Sequence, residues 1–440
     1  MSTIPTLALI PSGVKASKVY SVLPTDGTGD FTFSRAGALP SFNATRVNSE
    51  GLIEEVLSNV PRLNYPMIDG VVSGCPSLLL EPQRMNLVAY SEAFDNAAWI
   101  KVSNTSISDN FAISPNGTQN SSEIKATSTS TSVLGFYTGF TVSSGVEYTV
   151  SFFVKKGIAK YIQLYHAFSQ VAGVPRTNFD LENGVVSVSD AGHTSSIEDY
   201  GNGWYRCIVK LTTATTILQT FFNAVKSPTA PRDASSSWSA NDNFYFYGAQ
   251  LEQGSYPTSY IKSNSGTTTT RVAETANGAG DANTFNGSEG VLFVEMSALA
   301  DDSTSRRINL RNSSGSNQIR IEYGTSPNLI TGVLFNGTNQ AVVNNTSNNI
   351  LNFNKIAFKY KTNDFAMWIN GVKVGTDIIG TTIGAGILDR IDLSLSGTQT
   401  YSNTKQLQYF DSALNDSDLE TLTSWTSFSE MATSQLYTIE

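Results

Sequence analysis

Few residues of this chain are equipped for catalysis. There are two histidines, His166 and His193. A serine- or cysteine-based triad would have to use one of them as its base. Neither sits near a G-x-S-x-G, an H-E-x-x-H or a recognisable cysteine. His166 lies in an aromatic strand-like run, YIQLYHAF, and reads as an ordinary strand residue. His193 lies in a Gly/Asp/Ser loop and reads as solvated. Glycoside hydrolysis is the fairer test, because it needs two carboxyls about 5–9 Å apart, one with a raised pKa. An E-x-D-x-E run would place such a pair on one strand face, and none occurs. Glu54 and Glu55 are adjacent and point to opposite faces of a strand, and Asp301–Asp302 lie in a polar turn. No glycine-rich segment opens a helix to cradle phosphate. The two cysteines, Cys75 and Cys207, form no metal-type pair, and there is no EF-hand calcium loop. The expectation is a protein without catalytic residues, cofactor or identifiable metal ligands.

Binding chemistry has better raw material. Sugar rings stack their C–H faces on Trp and Tyr, and their hydroxyls pair with Asn, Asp, Gln and Arg. In the run Phe244 to Tyr247, alternation puts Phe244 and Phe246 on one face and Tyr245 and Tyr247 on the other. Trp368 alternates against Phe365, Met367 and Ile369, so it points towards a second layer, a partner or a ligand. Trp238 lies in a Ser-rich segment, SSSWSA, and is expected to be exposed. Trp238, Tyr245, Tyr247 and Trp368 are therefore the glycan-binding candidates. Four arginines of the N-terminal region, Arg35, Arg46, Arg62 and Arg84, are set among apolar or extended residues, which suits planar pairing with carboxylates. Glu50, Glu54, Glu55 and Glu81 are the expected partners in an Arg–Glu network holding irregular backbone.

The elements that must position these groups read as β almost throughout. Runs such as YTVSFFV at 148–154, YRCIVKL at 205–211, VLFVEM at 291–296 and DFAMWI at 364–369 recur between Gly, Asn, Ser and Asp. Asn370–Gly371 is the strongest hairpin signal, since a two-residue I′ turn needs positive φ at both centres. One helical turn is expected near the C-terminus, capped by Asn415 or Asp416 and burying Leu419 and Leu422. Parallel sheets would need helices between strands, and those are absent. The fold class is therefore all-β: two antiparallel β-sandwich or jelly-roll domains preceded by an irregular N-terminal region. Residues 1–95 hold eight of the fourteen prolines and are expected to be an irregular attachment or oligomerisation region. Residues 96–262 form the first sandwich, 263–285 a small polar linker, 286–428 the second sandwich and 429–440 a polar tail.

Composition excludes further classes. Only 15% of the 440 residues are charged, 28 Lys plus Arg stand against 37 Asp plus Glu, and the net charge is −9. That is no electrostatic footprint for nucleic acid. With 40% hydrophobic residues, including 5 Trp, 18 Tyr and 23 Phe, the chain can build cores and is not disordered. No run is long enough to span a membrane, and the N-terminus reads as lacking a signal peptide.

Three sets of motifs carry resemblances. FTFSRAG at 31–37, ATRVNSEGLIEEV at 44–56, NVPRLNY at 59–65 and SLLLEPQRMNLVAYSEAF at 77–94 resemble a module of bacteriophage structural and tail-fibre-like proteins. GWYRC at 203–207, FYFYGAQLEQGSYPTSYI at 244–261 and TTTTRVAE at 267–274 resemble a carbohydrate-binding-type jelly roll. EGVLFVEM at 289–296, NKIAFKYKTNDFAMWINGVKVG at 354–375 and KQLQYFDSALNDSDLETLTS at 405–424 are similar to concanavalin A-like (laminin G-like) lectin folds. The resemblance implies a virion appendage subunit, such as a fibre, spike or head decoration, made in a host cytoplasm and assembled as a homotrimer. Its partners would be other virion proteins and host-surface glycans, with no membrane insertion. Alternatives of other classes are a polysaccharide depolymerase on the same appendage, a purely structural spacer, and a bacterial adhesin. No family ligand residue is carried over.

Overall fold

The computed structural model describes residues 4–35, 44–395, 398–426 and 430–431. Nearly all of the expected C-terminal tail, 429–440, lies outside the described residues, as does part of the FTFSRAG motif. The described residues are nearly all β, with antiparallel pairing at every ladder among them. It forms two sandwiches, as the strand spacing predicts.

The first sandwich packs two six-stranded sheets. The front sheet runs in the order Ile100–Lys101, Leu134–Thr141, Ile217–Val225, Tyr161–His166, Arg176–Asp180 and Val185–Ser189. The back sheet runs Thr105–Ile113, Gln119–Ala126, Asn243–Gln253, Glu147–Lys156, Trp204–Thr212 and His193–Asp199. Alternation sends Phe136, Phe222, Phe152 and Phe246 inward, where they meet Phe94 and Trp99 in a mutually packed aromatic cluster. In the strand Asn243–Gln253 the inward set shifts from Phe244 and Phe246 to Ala249 and Leu251. A bulge opposite Ser151 and Phe153 causes the shift. Gly248 makes it with φ +60, and a Cβ there would lie 2.9 Å from the Phe153 ring.

The second sandwich corrects the expected domain division. One sheet contains Val372–Asp377, Phe365–Ile369, Asn354–Lys361, Glu289–Ala298 and Ser402–Phe410, and then continues into Ser77–Leu80 and Arg62–Asn64. Leu7–Leu9 also pairs with Ser402–Phe410. The facing nine-stranded sheet begins with Val14–Lys15, Lys18–Val19 and Phe31–Ser34. It passes through Thr275–Ala279 to Arg390–Asp392, Arg306–Arg311, Asn317–Tyr323, Ile330–Asn336 and Thr338–Asn345. Leu7, Leu9, Phe31, Phe33, Leu78 and Leu80 are fully or almost fully buried in its core. The proline-rich N-terminal region is thus part of this sandwich, its strands kept short by the prolines. The expected linker, 263–285, supplies the strands Thr269–Arg271 and Thr275–Ala279. Small polar composition suited these ladder positions as well as it would suit a free linker.

Two local expectations hold. Ile369 pairs with Val372 around Asn370 (φ 51) and Gly371 (φ 82), the positive-φ pair of a I′ turn. The helix Asp416–Ser424 is capped by the Asn415 side chain, which accepts from the Asp418 N–H, and buries Leu419 and Leu422.

Candidate functional site

Three of the four aromatic candidates are buried. Trp238 is 1% exposed. Its segment forms the strand Ser236–Trp238, paired with Ser130–Ser132, and alternation on that short strand turns the indole into the first core, with Lys226 Nζ 4.0 Å above the ring. The flanking serines face the other way, which is why the sequence suggested exposure. Trp368 does meet a second layer: the helix Asp416–Ser424 lays Leu419 and Leu422 against Trp368, Val291, Phe293 and Phe410. Tyr247 is buried under Ile53, Trp204 and Tyr260 and donates to Glu92 Oε1 at 3.0 Å. Tyr245 stays half-buried beside Phe111, ring centres 6.2 Å apart. The outer face of the back sheet is therefore partly consumed by docking on the N-terminal region.

The outer face of the front sheet is covered in part by residues 227–235, and an aromatic ladder crosses it from half-buried Tyr137 and Phe221 to buried Tyr165. Tyr137, Phe221 and Tyr165 stand opposite one another on three neighbouring strands. Tyr137 stacks on Phe221 at 4.6 Å and Phe221 on Tyr165 at 4.7 Å, with planes 25° and 3° apart. These distances match the spacing between strands, so each ring stands upright and uses its faces on its neighbours. The Arg232 guanidinium continues the stack, 4.5 Å from the Tyr165 ring centre and 4.3 Å from that of Phe168. Phe168 is 73% exposed and presents its remaining face to solvent. Beside Tyr137, Gly139 leaves open space.

A second row positions Arg232. Asn223, Gln163 and Asn178 lie side by side on the same face, and residues 227–235 are laced to them. Gln163 donates to Asn178 Oδ1 (2.8 Å) and to the Pro231 carbonyl (3.0 Å), and Asn178 donates to the Ala230 carbonyl (2.9 Å). The Asp233 N–H donates back to Gln163 Oε1 (2.7 Å). Asp233 also accepts from the Tyr165 hydroxyl (2.6 Å), which in turn accepts from Asn223 (2.9 Å). Asn223 Oδ1 is left buried without a donor. The ladder residues carry alternation signals like any strand, so nothing in the sequence separated them from core aromatics. Phe168, just past a strand end, was the one visible hint.

The Arg–Glu network exists with different membership. Arg62 forks onto both carboxylate oxygens of Glu274, Arg35 Nη1 lies 2.6 Å from Glu274 Oε1, and Glu81 Oε2 takes Arg62 (2.7 Å) and Arg271 (2.8 Å). Ser259 donates to both Glu81 oxygens, and the Glu81 N–H donates to Glu274. All five charged side chains are essentially buried. Burial by itself would raise the Glu81 carboxyl; Arg271 and Arg62, with the Ser259 bonds, outweigh it and hold the group down at about 2. Arg35, Arg62 and Glu81 were expected members. Arg46 instead pairs with Glu54 across a hairpin (2.9 Å), Glu55 with Lys262 (3.1 Å), and Arg84 lies over Tyr256. Arg271 and Glu274 come from the segment expected to be a linker; the charged, apolar-flanked RVAE following TTTT was the signal for them.

Burial raises Asp109 above its ordinary value, and Asp95 is in hydrogen-bond contact with it. Contact is too close for the about 5–9 Å that glycosidases use. A separate cleft of about 480 Å³ is lined by Tyr65, Asp69, Glu198, Asp199, Tyr200 and Tyr205, among others. Among the described residues no helix is long and apolar enough to cross a membrane.

No protein-family model and no curated protein matches the chain. Among solved structures it is similar to a pentraxin from Limulus polyphemus, with 12% identity over 32% of this chain and 71% of that one (TM-score 0.26). The mouse laminin α1 domains LG4-5 show 8% identity over 73% and 94% (TM-score 0.23). A Trypanosoma rangeli sialidase shows 9% identity over 98% and 85% (TM-score 0.29). At these scores no residue, ligand or activity carries across.

Proposed function

We propose that this chain is a non-enzymatic, glycan-binding subunit of a bacteriophage virion appendage, and that the exposed Phe168–Arg232 end of the front sheet's aromatic ladder is its adhesive surface. The observation that supports the reading is the Tyr137–Phe221–Tyr165–Arg232–Phe168 stack, held in place by a buried row of amides. It ends in an exposed ring face next to a fixed guanidinium, the combination that a sugar's C–H face and hydroxyls require. The stack is held by strand register and by the laced loop 227–235, so binding orders little that is loose. The phage assignment rests on the N-terminal motifs. As a homotrimer, the subunit would multiply weak sites by avidity.

The test is a glycan array probed with the full chain. Phe168→Ala removes an apolar contact of about 1.5–3 kcal/mol and should weaken binding about tenfold or more with an unchanged melting temperature. Loss on Tyr205→Ala with Phe168→Ala unaffected would move the site to the 480 Å³ cleft. Release of reducing sugar would overturn the non-enzymatic reading. Antibody labelling of phage particles, with no chain found on them, would overturn the appendage reading.

A further inference from the structure

Arg84 is the N-terminal arginine without a carboxylate partner among the described residues. It lies on the strand Arg84–Asn86, paired with Thr269–Arg271. Asn86 pins that ribbon to the first sandwich. Its side chain donates to the Ala249 and Ile261 carbonyls and accepts from the Val88 and Leu251 N–H groups. The Arg84 guanidinium lies 5.4 Å from the Tyr256 ring centre. It also runs against Gly254, where a Cβ would lie 2.9 Å from Nη2. Gly254 has φ +139, a conformation that side chains rarely adopt, so the close approach depends on glycine.

The guanidinium is held in place, yet its donors are largely unused. Among the described residues its one hydrogen bond runs from Nη1 to the Gln83 carbonyl at 3.2 Å. Nε is buried without an acceptor, and Nη2 has no acceptor among them either. Acids on adjoining segments are committed elsewhere: Glu81 to Arg62 and Arg271, Asp302 to Arg306, and Glu147 to Lys210. A fixed cation left uncompensated attracts an anion, and the flat fork of a guanidinium fits a carboxylate.

Arg84 borders a cleft of about 510 Å³ between this ribbon and the turn after the strand Leu134–Thr141. No Asp or Glu lines the cleft. Gln83, Thr141, Ser143 and Gln253 do. All four are exposed, and none of their side chains is hydrogen-bonded among the described residues. Uncommitted amides and hydroxyls beside one unpaired guanidinium match a ligand with many hydroxyls and a single carboxylate. The geometry points to a binding site for an acidic sugar of the hexuronic-acid class. Its carboxylate docks on Arg84, and its hydroxyls pair with Gln83, Ser143 and Gln253. Met85, 42% exposed, adds apolar surface for the C–H face of the ring. An acidic peptide side chain would satisfy Arg84 but leave the amides and hydroxyls unused. The cleft is separate from the Phe168 surface, and neither reading rests on the other.

The test is a titration of the full chain, labelled with ¹⁵N-arginine, with galacturonate, galactose, acetate and N-acetylglutamate. Galacturonate is expected to shift the Arg84 Nε–H signal and to bind about tenfold or more tighter than acetate. Galactose should leave that signal in place. Arg84→Gln should abolish galacturonate binding, and Arg84→Lys should weaken it, because the charge stays but the fork is lost. Ser143→Ala and Gln253→Ala change exposed positions that the fold does not need. They should weaken galacturonate and leave acetate unchanged, which keeps the test sound if the Arg84 variants fail to fold. No shift of the Arg84 signal with any of the four compounds would overturn the site. Equal affinity for galacturonate, acetate and N-acetylglutamate would reduce the cleft to a plain anion contact and overturn the sugar assignment.

Discussion

Glu274→Ala is expected to cost about 3–5 kcal/mol of stability, the range for breaking a buried ion pair by removing one partner. Glu274 accepts from Arg35, from both arms of Arg62 and from the Glu81 N–H, and it is fully buried. Without it, the three buried guanidiniums of Arg35, Arg62 and Arg271 have only Glu81 in the network to offset them. The control is Arg46→Ala, which breaks the exposed pair with Glu54 and should cost less than about 1 kcal/mol. Denaturant unfolding of both variants decides the matter; equal midpoints would mean that the buried network is not holding the fold. Because Arg35, Arg62 and Glu81 are N-terminal and Arg271 and Glu274 follow the first sandwich, the network ties together segments about 200 residues apart.

The same network sets a pH dependence. Glu81 has a folded pKa of about 2 against an ordinary value of 4.5. A depressed carboxylate contributes stability that is fully present above the unfolded pKa and is lost as pH falls through the folded one. The loss should therefore run from about pH 5 down to pH 2 and amount to about 3 kcal/mol. Glu81→Gln should flatten this part of the stability–pH curve; an unchanged slope would assign acid sensitivity to other groups.

The second large effect concerns the domain division. Residues 286–431 expressed alone should stay unfolded, although they match the lectin-like motifs. Their core would lack Leu7, Leu9, Val19, Phe31, Phe33, Leu78 and Leu80. At about 1.5–3 kcal/mol for each large apolar side chain, that loss exceeds the about 5–15 kcal/mol that a domain usually has in hand. The central strand Ser402–Phe410 would also lose its pairing with Leu7–Leu9 and Ser77–Leu80, leaving an open edge prone to aggregation. Circular dichroism and limited proteolysis would check this. A cooperative unfolding transition for the fragment would restore the N-terminal region to the status of a separate unit.

Particular residues show where sequence reading stops. Asn370–Gly371 and the Asn415 cap were legible because a turn and a cap depend on residues within a few positions. Leu419, Leu422 and Trp368 were each read on the right face, yet that they cover one another was not readable, since the helix lies about 50 residues away. Tyr245 and Tyr247 have the same local pattern, but Tyr247 is buried within the cluster of Ile53 and Tyr260, whereas Tyr245 packs against that cluster and stays half-buried.

The sequence by itself determined an all-β chain of two antiparallel sandwiches, because the period-two alternation of β-branched and aromatic residues and the Asn/Gly turns act locally. Tertiary structure alone decided which faces stayed open and which partners met. It brought Arg271 and Glu274 to Arg62, Tyr137 to Phe221 and Tyr165, and His166 to His193. Alternation says that a side chain leaves the plane of its strand; only the packing of distant segments says what waits there.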